Sequence, residues 1–353
     1  MSKSVKKRTY IWELKTWPKF EYDLGRLAPA MRAARRAQGD LLGMVKALSE
    51  ATLTEVMVGA MARTAIGNNA IKSMDLSLES VRAFMMLRLC AAKGGFQPGA
   101  AGRMDPIAGM LAEAVRDFRS PLTMDRIFSW HRVIFPDGVS PDWGWIRVEE
   151  LRGPNPIIVA ASRRTPGKPD IILFEPPGRQ GLEAQMETFL DWFNAPPEGL
   201  DGQLRAGIAH LWFLILHPLE DGNGRIARTI TELALAQDEA SVLRFYSISK
   251  QIMRNSGYKG ALRHAQQGDL DITNWLIWFL EQVEAAAGQA MEDVRPVLVN
   301  LTPQVEPKHA VITDLTDSPP KTIVPSGRPL PGSLSEGAAG TPCSPLHPGW
   351  GSP

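Results

Sequence analysis

The chain of 353 residues is 44% hydrophobic and 22% charged, enough apolar material to bury the core of one large domain or two moderate ones. With 39 basic against 38 acidic residues and a formal net charge of +1, it offers no bulk electrostatic attraction to nucleic acid or an anionic membrane, and neither is expected as a partner. Its two cysteines, Cys90 and Cys343, lie far apart with no metal-type or redox-type neighbour, which points to reduced thiols in a cytoplasm.

The basic start MSKSVKKRTY runs into the polar, Trp-bearing IWELKTWPKFEYD rather than an apolar segment, so no Sec-type signal is expected, while export by a dedicated machinery stays open. From about Leu24 to Leu89 the apolar spacing is helical, with Leu41, Met44, Val45 and Leu48 on one face. GGFQPGAAG at 94–102 is a Gly/Pro-rich connector and a candidate domain boundary. Two amphipathic helices are predicted next, over Pro106 to Phe118 and Thr123 to Phe135. The texture then changes: Pro156 to Ala161 and Ile171 to Phe174 read as two short strands around a breaker-rich turn, the one β-hairpin predicted.

Helical periodicity returns over Gln180 to Phe193, Gln203 to Leu216, Arg225 to Gln237 and Ile272 to Ala287. The longest apolar runs, Leu211 to Leu216 and Trp275 to Leu280, are too short to span a bilayer. From about Leu301 Pro, Gly, Ser and Thr dominate, a composition that buries too little apolar surface to offset its ordering entropy. The expected fold class is therefore mainly α: a helical bundle with one short β-hairpin, preceded by a helical N-terminal domain (1–95) and followed by a largely disordered tail (291–353), with the central domain at 96–290.

The chemistry concentrates in HPLEDGNGRIAR, residues 217–228. One helix delivers His217 to a loop, with Pro218 helping to stop it, and the loop feeds straight into the next helix. Gly222 and Gly224 on either side of Asn223 let backbone amides approach an anion, and the helix N-terminus behind them presents unpaired N–H groups. Arg225 and Arg228 lie one turn apart on one face, opposite the stripe of Ile226, Ile230, Leu233 and Ala234, and suit a polyphosphate. Asp221 could hold a Mg²⁺ bridging those phosphates, and His217 could take a proton from an attacking hydroxyl. Singly, each residue has a plainer reading: Asp-Gly and Asn-Gly are ordinary turn dipeptides, a histidine after an apolar helix often only packs, and Arg228 can pair with Glu232 at i,i+4. Together, in this order, they assemble what attack on a nucleotide phosphorus requires.

This segment resembles the signature of the Fic family, His-x-Phe-x-(Asp/Glu)-Gly-Asn-Gly-Arg-x-x-Arg, with Leu219 in place of Phe. That departure falls on a residue that packs the loop, and it predicts a looser cradle with its chemical groups intact. WPKFEYD, RAQGDLLG, FSWHRVIFP, the hairpin ahead of FEPP, LDWFN, YSIS and GDLDITNWLIWFL extend the resemblance from about Tyr10 to Glu284. It implies a Fic-type bundle that transfers AMP from ATP, with Mg²⁺, to a Ser, Thr or Tyr hydroxyl of a target protein, auto-modification included. It also implies His217 as base, Asp221 as metal ligand, Gly222, Asn223 and Gly224 as anion hole, and Arg225 and Arg228 as phosphate clasps. The hairpin would be the flap that aligns the target by strand pairing, and Tyr258 and Gln266 the remaining part of an adenine pocket. A homodimer is compatible with the sequence.

Many members carry an inhibitory helix, (Ser/Thr)-x-x-x-Glu-(Gly/Asn), whose glutamate pairs with the second arginine. Counting back from LSLESVR places Lys72 and Ser73 where Glu and Gly belong, and starting at Thr64 leaves no glutamate at all. The expectation is a degenerate regulatory helix near 64–73, leaving the site either unrestrained or decayed. Two alternatives to AMP transfer stand beside it: a Fic-type transferase using another nucleotide or phosphoryl donor, and a catalytically decayed Fic-like interaction protein.

Overall fold

The computed structural model describes residues 9–46, 106–155, 171–241 and 244–301, with single positions between 48 and 60 and between 157 and 161. The connector at 94–102, the regulatory segment at 64–73 and the tail beyond Leu301 lie outside the described residues.

The core is organised around helix α5 (Gly202–Leu216; helices are numbered here in chain order). Every residue from Gln203 to Leu216 except Arg205 is buried, and a helix that is apolar nearly all round belongs at the centre of a fold. Asp201 starts it, its carboxylate accepting from the amides of Gln203 at 2.8 Å and Leu204 at 3.1 Å, which satisfies two orphan donors of the first turn. Around it pack α4 (Leu182–Asn194), α6 (Asn223–Asp238), α8 (Tyr258–Gln266) and α9 (Thr273–Leu301). The approach of α9 is close: a Cβ on Gly207 would meet the Phe279 ring at 2.9 Å, and Trp275 Nε1 donates to the Gly207 carbonyl at 2.9 Å. Helices α2 (Pro106–Arg116) and α3 (Met124–Ile134) flank α6, and the short α7 (Ile248–Arg254) follows it.

The N-terminal segment is stitched into this bundle. Helix α1 (Leu24–Val45) is capped by Asp23, whose Oδ1 accepts from Gly25 and Arg26 amides, and buries Leu27, Ala34, Leu41 and Val45. Trp17 and Phe20 pack edge-on against Trp212 of α5, and Glu21 pairs with the start of α9 through Leu270 and Ile272. Each fully buried large apolar side chain of this kind contributes about 1.5–3 kcal/mol.

The fold is mainly α, as expected. The hairpin pairs β3 (Val159–Ala161) with β4 (Ile171–Phe174), with a register irregularity between Val159 and Ala160; its breaker-rich turn lies outside the described residues. A second antiparallel pairing, β1 (Val139–Ser140) with β2 (Gly144–Trp145), corrects the expectation of a single hairpin. Two-residue strands around Pro141 and Asp142 are too short to leave an alternation that periodicity can register. Helix α9 continues through Leu301, so residues 291–301, placed in the tail from sequence, are helical. Among the described residues, no helix is long and apolar enough to cross a membrane.

Candidate functional site

The end of α5 and the start of α6 meet at a loop whose shape depends on three backbone features. His217 turns the chain out of α5 in a left-handed conformation, φ 47°, costly for a residue with a Cβ. Gly222 sits at φ 84°, and a Cβ there would meet the Phe135 ring at 3.1 Å, so both conformation and space require glycine. Asn223 closes the loop from within: its Oδ1 accepts from the Leu219 amide at 3.0 Å and its Nδ2 donates to the Leu219 carbonyl at 2.8 Å. Asn223 thus braces the cradle with its side chain, and the amides of Asn223 and Gly224 remain in the first turn without a carbonyl partner inside the helix. Leu219 is fully buried, and its backbone amide and carbonyl are both bonded by the Asn223 side chain.

The carboxylate of Asp221 is oriented before any ligand arrives. Its Oδ2 accepts from Ser140 Oγ at 2.7 Å, its Oδ1 from the Gly222 amide at 2.6 Å, and Arg225 Nη2 stands 3.6 Å from Oδ1. The Asp221 backbone carbonyl lies 3.1 Å from the His131 ring Nε2. Among the described residues no group of three or more His, Cys, Asp or Glu side chains could hold a metal ion. Asp221 could hold a divalent cation only as a single carboxylate ligand.

The cations are more enclosed than expected. Both guanidiniums were placed opposite the apolar stripe of α6, yet the helix is buried on nearly every face and Arg228 is 2% exposed. Arg225 lies over the Phe135 ring at 4.7 Å, and its buried Nη2 has no hydrogen-bond partner. Burial holds Arg225 below the usual guanidinium range, against the pull of Asp221 and Asp142. Burial likewise pushes Arg228 down to about 10, with Arg225 adding repulsion and Tyr258 opposing it. The alternative partner Glu232 is bonded instead to Arg244 at 3.0 Å. Burial, reinforced by Arg152 and opposed by a bond to the Leu214 carbonyl and by Asp221, pushes His217 from 6.5 down to about 4. The ring is therefore neutral near pH 7, the form that accepts a proton.

Tyr258 and Gln266 occupy opposite ends of α8. Tyr258 OH is 3.0 Å from His210 Nε2, and its ring stacks on Trp278. Gln266 is buried, its Nε2 3.5 Å from the Leu214 carbonyl at the end of α5.

Several supporting residues escaped sequence reasoning. Arg152 donates through Nε to the His217 carbonyl at 2.9 Å. Glu220 accepts from the amides of Arg147 at 2.8 Å and Gly153 at 3.1 Å, pinning the 147–153 segment to the loop. Ser140 and His131 hold Asp221. Only Glu220 lies inside the motif, and its partners are some 70 residues away, beyond any local pattern.

Comparison with known proteins agrees with this arrangement. Residues 121–235 match the Fic/DOC family, and residues 10–90 match a domain of unknown function, DUF4172. A protein adenylyltransferase of Caenorhabditis elegans is 26% identical over 150 residues, covering 42% of this chain and 25% of that protein. One from Nematostella vectensis is 31% identical over 96 residues, covering 27% and 21%. The chain thus spans about a quarter of the length of the curated relatives it matches. In fold it is similar to a Fic family protein from Desulfovibrio desulfuricans, with a TM-score of 0.53 at 19% identity over 75% of each chain. It is also similar to a Fic domain containing signaling protein from Bacteroides thetaiotaomicron, with a TM-score of 0.51 at 19% identity over 77% of this chain and 97% of the other. The chain thus carries a Fic/DOC domain at residues 121–235, behind a DUF4172 segment at residues 10–90.

Proposed function

We propose that this chain transfers AMP from ATP to a hydroxyl side chain of a target protein, itself included. The observation that carries this reading is the buried Arg225 Nη2, which makes no hydrogen bond and reaches Asp221 only at 3.6 Å, beside a glycine-lined helix N-terminus and a neutral histidine. A buried cationic donor without a hydrogen bond costs free energy that an incoming phosphate oxygen would recover, and the amides of Asn223 and Gly224 add donors on the same side.

In the reaction the acceptor oxygen attacks the α-phosphorus of ATP, its proton passes to the His217 ring, and the bond to the β-bridging oxygen breaks to release pyrophosphate. Arg225 and Arg228 hold phosphate oxygens, Asp221 would hold Mg²⁺, and Tyr258 and Gln266 would face the base. When bound, Mg²⁺ neutralises phosphate charge and fixes the triphosphate for in-line attack. The adenylyltransferase names of the two relatives support the choice of AMP as the group transferred. The hairpin β3–β4 would align the target segment by adding a strand.

The sequence at 64–73 adds a regulatory reading. With Lys72 where a clamping glutamate would stand, the sequence supplies no glutamate clamp at that position, which supports a site that is unrestrained, with a decayed site as the alternative.

The test is incubation with Mg²⁺ and α-labelled or γ-labelled ATP, using wild type and His217→Ala. Label from the α position only, reduced about 10²- to 10⁴-fold in the variant, is the expected result. Label from the γ position would replace AMP transfer with phosphoryl transfer, and no label with no ATP binding would make the chain an interaction protein. In the same assay Lys72→Glu with Ser73→Gly should suppress auto-modification; unchanged labelling would refute the lost clamp.

A further inference from the structure

Arg152 is an expensive residue in an odd place. It is 2% exposed, and among the described residues no carboxylate bonds it; burial, with Arg179 nearby, holds its guanidinium below the usual range. Its contacts are backbone carbonyls instead. Nε donates to His217 O at 2.9 Å, and Nη2 donates to Pro177 O. The Arg152 amide donates to Pro218 O at 2.9 Å, and the Arg152 carbonyl accepts from Arg179 Nε at 2.8 Å. A buried cation is retained against its desolvation cost only where something compensates it. Here the compensation comes from the carbonyl-rich C-terminal end of α5, where the helix dipole favours positive charge.

The two carbonyls belong to different parts of the fold. His217 is the proton acceptor of the proposed reaction, held in a left-handed conformation that the surroundings must enforce. Pro177 lies just past the end of β4, on the strand by which the hairpin re-enters the bundle. That exit is fixed a second time by Trp12 Nε1, which donates to Glu175 O at 2.8 Å, and by the Tyr10 ring standing edge-on to Phe174. One planar guanidinium therefore ties the hairpin exit to the backbone of the reacting histidine, a geometry that a fork can satisfy and a single ammonium cannot.

We propose that Arg152 is a positioning residue that sets the His217 ring relative to hairpin β3–β4, so that a hydroxyl aligned on the hairpin arrives in register with its proton acceptor. The proposal rests on the AMP-transfer reading. The Arg152 guanidinium bonds backbone carbonyls of the His217 and Pro177 segments, so its loss should lower turnover and leave nucleotide binding alone.

The experiment compares wild type, Arg152→Met and Arg152→Lys on the full chain by two readouts. In auto-modification with labelled ATP, Arg152→Met should lose about 10- to 100-fold in kcat, as misplacement of a reacting group by about 1 Å does. KM for ATP should stay near the wild-type value, and Arg152→Lys, which keeps one carbonyl contact, should recover part of the loss. In the second readout, carbethoxylation of histidines by diethylpyrocarbonate is followed peptide by peptide. His217 should react several-fold faster in Arg152→Met while buried His131 and His210 keep their wild-type rates. Unchanged His217 reactivity, faster reaction of all three together, or a raised KM at unchanged kcat would overturn the positioning role. A wild type that transfers no AMP would sink the transfer reading, and the labelling rates would still decide whether Arg152 holds His217.

Discussion

The two ends of helix α6 use buried charge in opposite ways. At the C-terminal end the charges are closely paired. Asp238 pairs with Arg35 at 2.5 Å, while Arg244, 2% exposed, pairs with Glu232 at 3.0 Å and Glu239 at 2.5 Å. Tyr246 OH and Gln38 Nε2 each donate to Glu239 at 2.7 Å, closing a network between α1 and α6. At the N-terminal end Arg225 has only the longer 3.6 Å approach to Asp221, its buried Nη2 makes no hydrogen bond, and burial holds both Arg225 and Arg228 below the usual guanidinium range. Cations raised or held by close carboxylates within the chain hold the fold together, whereas cations that burial holds below their usual range beside a glycine-lined helix N-terminus suit an anionic ligand.

The contrast can be broken most forcefully at Arg244. Arg244→Met strands Glu232 and Glu239 as buried carboxylates and should cost about 3–5 kcal/mol, read as a lower urea midpoint. A loss below about 1 kcal/mol would mean that this end is not the structural one. A smaller effect comes from acid. Burial pushes His131 and His217 down to about 4 and His210 to about 3, so below pH 6.5 the unfolded chain takes protons that the folded chain refuses. Stability should therefore fall as pH drops from 6.5 toward 4, with a slope of up to about 1.4 kcal/mol per pH unit for each histidine. Urea midpoints that stay flat between pH 7 and pH 5 would contradict the depressed values.

The sequence exposed the α5–loop–α6 signature because its chemistry is local: histidine, carboxylate, glycines and two arginines fall within twelve residues, and both flanking helices follow from apolar spacing. The helices at Pro106–Arg116, Met124–Ile134 and Leu182–Asn194 emerge as expected, with ends shifted by a residue or two. What stayed hidden depends on distant partners. Ser140 meets Asp221 across 81 positions and Arg152 meets His217 across 65, and no periodicity links such pairs. The burial of Arg228 was equally out of reach. Two arginines at i,i+3 suggest a solvated face, and only the packing of α2, α3 and α5 around α6 encloses them.

Arg225→Met tests the contrast most directly, with thermal unfolding recorded with and without Mg²⁺ and ATP. Removing a desolvated cation whose buried Nη2 makes no hydrogen bond should leave the unliganded Tm at or above the wild-type value. The rise in Tm that nucleotide gives wild type should disappear, since a ligand stabilises in proportion to the logarithm of its concentration over Kd. A variant that melts several degrees lower without nucleotide, yet keeps the full nucleotide-induced rise, would show that Arg225 serves the fold and that the phosphates bind elsewhere.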